Sequence, residues 1–193
     1  IPAGDSNDNA VLARFVTAVK AVAPQANGSA VQIYEAGLAV SKAFQIATLL
    51  AVASMALLLI VVLRRVVDVV MVLAPLVAAG LVTAIVCWAI GLQFNFANII
   101  ALPLLLGIGV AFNIYFVVNW RKGIPHPLQT STARAVLFSG LTTGSSFASL
   151  ALSSHPGTAG MGIVLLVGMA ATLLSIFTLM PALLGAPPET AAR

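Results

Sequence analysis

The stretch 107-GIGVAFNIYFVVNWRKG-123 closes an apolar run that starts near residue 99, and reading that run decides the fold. From Ile99 to Trp120 the chain carries no Asp, Glu, Lys or Arg, and Arg121 and Lys122 follow at once. That length matches the ~20 apolar residues a helix needs to cross a hydrocarbon core, and the cationic pair marks an interface. Asn113 inside such a run is costly in lipid, so it should face protein or water, and the two glycines serve packing and bending.

The composition extends this reading to the whole chain. Of 193 residues 61% are hydrophobic and 7% are charged, against about 25% charged in an ordinary soluble domain. The pattern predicts an all-α polytopic membrane protein with five transmembrane helices, at 43–63, 69–91, 99–120, 133–152 and 162–184. The fourth is the least apolar, because 138-FSGLTTGSSFASLALSS-154 is rich in hydroxyls. A net charge of +4 spread over isolated Lys and Arg residues gives no basic surface for nucleic acid.

Residues 1–42 are more polar. Val11, Leu12, Phe15, Val16, Val19 and Val22 recur at helical spacing up to Pro24. After Asn27-Gly28, the segment 30-AVQIY-34 alternates apolar and polar residues like an edge strand, which makes residues 1–42 a short α/β segment. One helix and one strand bury too little to fold alone, so they read as the end of a domain that continues upstream. Arg64 and Arg65 follow the first span, and Arg121, Lys122 and Arg134 lie between the third and fourth. The stretches 92-LQFNFAN-98 and 153-SSHPGTAG-160 carry no cation. The basic loops therefore belong in the cytoplasm, with residues 1–42 and His155 outside and the tail at 185–193 inside.

From Val69 to Trp120 and from Ala135 to Leu184 there is no Asp, Glu, Lys or Arg, and His155 falls in a loop. No metal-ligand cluster, phosphate loop or catalytic triad appears, so neither an enzyme nor a cofactor is expected. The single Cys87 reads as a small buried hydrophobe. Gly140 and Gly144 form a GxxxG pair, with Ser145, Ser149 and Ser153 on a neighbouring face, which predicts a tightly packed and central fourth span. Pro75 and Pro103 lie within spans. Pro103 with Gly107 and Gly109 makes the third span the most deformable. Asn113 needs a hydrogen-bond partner, and Ser139, Thr142 and Thr143 on the fourth span are the candidates. Trp120 reads as an interfacial anchor.

The segments 95-NFANIIALPLLLGIGVAFNIYFV-117 and 134-RAVLFSGLTTGSSFASLALSSHPGTAGMG-162, with the head motif 4-GDSNDN-9, resemble the hopanoid-transporter proteins of Gram-negative bacteria. These form a branch of the MMPL-like RND transporters. The resemblance covers essentially the whole chain. It implies the C-terminal half of a twelve-span inner-membrane protein, in which residues 1–42 close the second periplasmic domain. Its partners would be hopanoid lipids, surrounding membrane lipid, the N-terminal half of the same protein and further copies of itself. Related transporters write the third span as G-x-G-x-D-[FY], with the aspartate as proton carrier. Here Ala111 and Phe112 stand in those places, so on this resemblance the carrier comes from the other half. A drug or other envelope-lipid exporter, and a lipid-sensing membrane protein, share the same fold.

Overall fold

The computed structural model describes residues 9–92, 100–124 and 126–185, with side chains from Val11 onward. The motif 4-GDSNDN-9 apart from Asn9, the stretch 92-LQFNFAN-98 apart from Leu92, and the tail beyond Gly185 lie outside them. Among the described residues six α-helices follow one another: α1 Asn9–Val22, α2 Ser29–Leu63, α3 Val66–Ala89, α4 Ala101–Arg121, α5 Ser131–Ala151 and α6 Pro156–Leu184. The chain divides into two compact units, Ile1–Ala47 and Thr48–Arg193.

In the first unit, α1 buries Leu12 and Val16, and the start of α2 buries Val31. Lys20 and Glu35 form an exposed ion pair, and Asn27 Oδ1 accepts from the amide of Gly28 at 3.1 Å. The strand expected at 30-AVQIY-34 is helical, as the first turns of α2. From Val31 to Thr48 the sheltered positions of α2 are 31, 34, 37, 41, 44 and 48, a progression of threes and fours. Five residues are too few to separate that period from alternation, and the longer run reveals it. Among the described residues there is no strand.

The second unit is a helix bundle organised around α6, which packs against α3, α4 and α5, while α3 and α4 also pack on each other. Its main core joins Leu59 and Leu63 of α2, Val72 of α3, Phe116 of α4, and Ile176 and Met180 of α6. Phe116 and Phe177 meet edge to face with centroids 6.2 Å apart. The exterior is also apolar, with Leu49, Leu57, Val61, Val70, Val77 and Leu81 all exposed. In water such a surface would drive aggregation, whereas in lipid it costs nothing.

Among the described residues four helices, α2, α3, α4 and α6, are long and apolar enough to cross a membrane. At 21 residues α5 is long enough, yet its hydroxyls keep it below the apolarity of the other four. The ends shift from those expected. Helix α3 begins at Val66, and so takes in Asp68. Helix α6 begins at Pro156, so the second half of the expected loop 153–160 is its first turn. Proline at the first helical position lacks only an N–H that would be unpaired there anyway.

Candidate functional site

Helix α4 turns Gly109, Asn113, Phe116 and Val117 inward. Asn113 has no exposed surface, and its Nδ2 donates to the carbonyl of Val72 at 2.9 Å. Its partner is therefore the backbone of α3, not Ser139, Thr142 or Thr143 of α5. Val72 lies one turn before Pro75 of α3, and its carbonyl has a second lone pair to offer a neighbouring side chain. Asn113 Oδ1 is buried without a hydrogen-bond partner among the described residues.

The hydroxyls of α5 serve their own helix. Thr142 donates to Phe138 O, Ser145 to Leu141 O, Ser146 to Thr142 O and Ser149 to Ser146 O. Thr142, Ser145, Ser146 and Ser149 are exposed, and Thr143 is half-buried. Ser139 is exposed and lines an open groove of about 420 Å³ with Phe112, Tyr115 and Thr132. Among the described residues α5 is covered on its glycine face only.

That glycine face packs on α6. A Cβ placed on Gly140 would lie 2.6 Å from Leu173 Cδ2, whereas one on Gly144 would meet Met169 at an ordinary 3.8 Å. Gly162 on α6 is tighter still, since a Cβ there would strike the backbone of Leu150 and Ala151. Gly168 of α6 makes room for Leu105 of α4, and a Cβ on Gly109 of α4 would lie 2.9 Å from Leu76 of α3 and 3.4 Å from Thr172 of α6. Gly107 has open space around it. Pro103 sits in the first turn of α4, where a proline removes no intrahelical bond, so it breaks nothing in the helix interior.

A second polar cluster lies on the same α3–α4 seam. Asp68, in the first turn of α3, is 3% exposed. Arg121 Nη1, in the last turn of α4, stands 3.4 Å from Asp68 Oδ2 and donates to the carbonyl of Leu63 at 2.8 Å. Asp68 Oδ2 itself receives no hydrogen bond among the described residues. Asp68 is thus a buried acid at the end of a helix of this bundle, one residue before the stretch from Val69 to Trp120 that carries none. The sequence did hold a signal for it. Asp68 precedes Val72 by four residues and Arg121 follows Asn113 by eight, so helical period puts both pairs on one seam. Among the described residues no group of three His, Cys, Asp or Glu comes together as a metal site, and Cys87 is buried and free.

The model of the MMPL family matches residues 3–188. The chain belongs to the MMPL family. Two curated relatives align with this MMPL segment almost end to end. The hopanoid transporter HpnN of Rhodopseudomonas palustris (strain TIE-1) is 48% identical over 187 residues, 97% of this chain and 22% of that protein. The hopanoid transporter HpnN of Burkholderia multivorans (strain ATCC 17616 / 249) is 45% identical over 194 residues, 100% of this chain and 22% of that protein. The chain thus spans about a fifth of the length of these relatives.

On this MMPL segment, Ala111 lies on an open side of α4 with Leu104, Gly107 and Tyr115, all four exposed. Their spacing of three and four residues makes them one stripe. Ser139 on α5 and Tyr115 on α4 line the same groove. The site is therefore two-sided: Asn113 locks α4 to α3 within the bundle, while Ala111 and the α5 hydroxyls look out of it.

Proposed function

We propose that this chain is the C-terminal membrane part of an inner-membrane transporter that moves hopanoid lipids toward the outer membrane, driven by protons. The observation that carries the reading is the 45–48% identity with two hopanoid transporters over nearly the entire chain. In this reading α5 also crosses the membrane, as the fourth of five spans, α1 and the start of α2 belong to a periplasmic domain, and the C-terminus is cytoplasmic. The remaining spans of the same polypeptide cover the Ala111 stripe and the hydroxyl face of α5. That placement is favoured by cost: a face bearing Ser139, Thr142, Ser145, Ser146 and Ser149 gains nothing from lipid and gains hydrogen bonds from protein or water. With Ala111 in place of an acid, the proton carrier resides in those remaining spans, and Asn113, Ser139, Thr142 and Thr143 play supporting parts. The complete protein works as a homo-oligomer.

The test uses the full-length protein in liposomes. A hopanoid and a phospholipid are offered in turn, with and without a proton gradient. Gradient-dependent transfer of the hopanoid alone is the expected result. Equal transfer of phospholipid points to a broader lipid exporter, and binding without transfer points to a lipid sensor. Asn113→Leu is expected to slow transfer by no more than about threefold, in line with the ~0.6 kcal/mol mean worth of an interhelical hydrogen bond. Loss of the acid in the matching span should abolish it. Equal severity of the two would defeat the assignment of the carrier to the other half.

A further inference from the structure

The charge of the second unit gathers at one end. From Thr48 to Gly185 the chain carries Arg64, Arg65, Arg121, Lys122 and Arg134, and Asp68 is its one acid. These residues fall at the corner between α2 and α3, at the end of α4 and in the first turn of α5. Two hydrogen bonds bring those places together across long stretches of chain. Arg121 Nη1 donates to the carbonyl of Leu63, the last residue of α2, at 2.8 Å. Asn119 Nδ2 donates to Thr132 Oγ1 at 2.8 Å, which ties the end of α4 to the start of α5.

The buried acid answers only one of these cations. Asp68 is 3% exposed and 3.4 Å from Arg121 Nη1, so its charge is balanced inside the bundle by the arginine that also serves Leu63. Arg64, Arg65 and Lys122 are exposed and form no ion pair among the described residues. Arg64 and Arg65 are the whole connection between α2 and α3, with Arg64 at a left-handed φ of 55° and Arg65 extended at φ −140°. Lys122 follows Arg121, which is bonded to that same corner. Three like charges thus converge from segments far apart in sequence, with no exposed carboxylate among the described residues of this unit. Such a gathering costs repulsion unless an anion or water answers it.

The surface around the cations decides the class of anion. Val62 before the corner and Val66 and Val67 after it are 56%, 68% and 64% exposed, so apolar surface begins within two residues of the arginines. A soluble acidic partner would leave those valines uncovered. An anionic phospholipid answers both features, with a phosphate at the level of the cations and acyl chains along the valines. Arginine meets phosphate with a fork of N–H donors and lysine with a compact charge. Membrane sidedness needs only cations near the ends of the spans, and makes no use of the docking of α4 on the α2–α3 corner. We propose that Arg64, Arg65 and Lys122 form a binding site for one anionic phospholipid, whose phosphate they share, in the leaflet that meets this end of the bundle, the cytoplasmic one in the reading above. The site needs only a bundle that crosses a membrane, and it stands whether or not the protein moves hopanoids.

The test uses the full-length protein, with its cysteines replaced, in phosphatidylcholine nanodiscs. A fluorophore at Val66→Cys reports the corner, and one at Leu81→Cys, also exposed and farther along α3, reports ordinary lipid contact. Phosphatidylglycerol and phosphatidylcholine, each with a nitroxide quencher beside the glycerol, are added in turn. Quenching at Val66 should favour phosphatidylglycerol about tenfold or more, and quenching at Leu81 should favour neither lipid. Arg65→Gln and Lys122→Gln, on different elements, should each lower the preference at Val66 about fivefold, the scale of one Lys or Arg beside a charged lipid. Arg65→Lys should keep most of it, and Lys42→Gln, in the first unit, should leave it unchanged. Equal preference at the two labels, or an effect of Lys42→Gln as large as the other two, would reduce the attraction to net charge and overturn the proposal. So would a loss in only one of Arg65→Gln and Lys122→Gln. Quenching by neither lipid at Val66 would mean that protein covers the corner, and would overturn it as well.

Discussion

Gly162 and Gly107 show how little a residue type says by itself. Both are helical glycines in an apolar chain, and they differ only in what surrounds them. A methyl group at Gly162 meets the backbone of Leu150 and Ala151, which has no rotamer to change, so Gly162→Ala should cost about 1–3 kcal/mol. At Gly107 the space within this segment is open, and for the segment by itself alanine's better helix propensity should give up to about 1 kcal/mol in the other direction. Thermal unfolding of the two variants in detergent checks this, and equal shifts would contradict the packing. Asn113 follows the same logic. Its burial is legible from an amide set among Leu, Ile and Phe, but the identity of its acceptor is not. Val72 is an apolar residue that contributes only a carbonyl, and carbonyls leave no mark in a sequence. Asp68 escapes a reading by apolar length because such a span starts one residue later, at Val69.

The elements differ in how well composition describes them. Helices α3, α4 and α6 follow directly from apolar length. In α2 a short window imitates a strand, and only the period sustained to residue 48 shows the helix. Helix α5 is the opposite case, legible as a helix but poor as a span. Because Thr142, Ser146 and Ser149 are all exposed on its surface, the isolated helix should insert poorly into a bilayer. Replacing these three by leucine should favour insertion about tenfold or more, from the ~0.5 kcal/mol that each leucine gains. A translocon insertion assay on α5 alone reads the shift. Unchanged insertion would mean that the hydroxyls, bonded to their own helix at the carbonyls of Phe138, Thr142 and Ser146, are already satisfied within it.

Across the whole molecule the sidedness of the corners is the most direct test. Arg65 and Lys122 flank the two basic connections, and Ser154 lies at the connection between α5 and α6. In the Cys87→Ala background, Ser154→Cys should react with an impermeant thiol reagent applied to spheroplasts, while Arg65→Cys and Lys122→Cys should react only after the membrane is opened. The reverse pattern would invert the protein. The amino-acid sequence by itself pointed to the membrane class and to the apolar helices α2, α3, α4 and α6, and it carries the sidedness expected of the loops. These depend on solvent preference and length, which are summed along the chain. Only the tertiary structure decided that Asn113 bonds to α3, that α5 packs by its glycines and leaves its hydroxyls open, and that Asp68 and Arg121 meet. Those contacts depend on which face of each helix turns toward which neighbour, and that is settled by close packing between segments far apart in sequence.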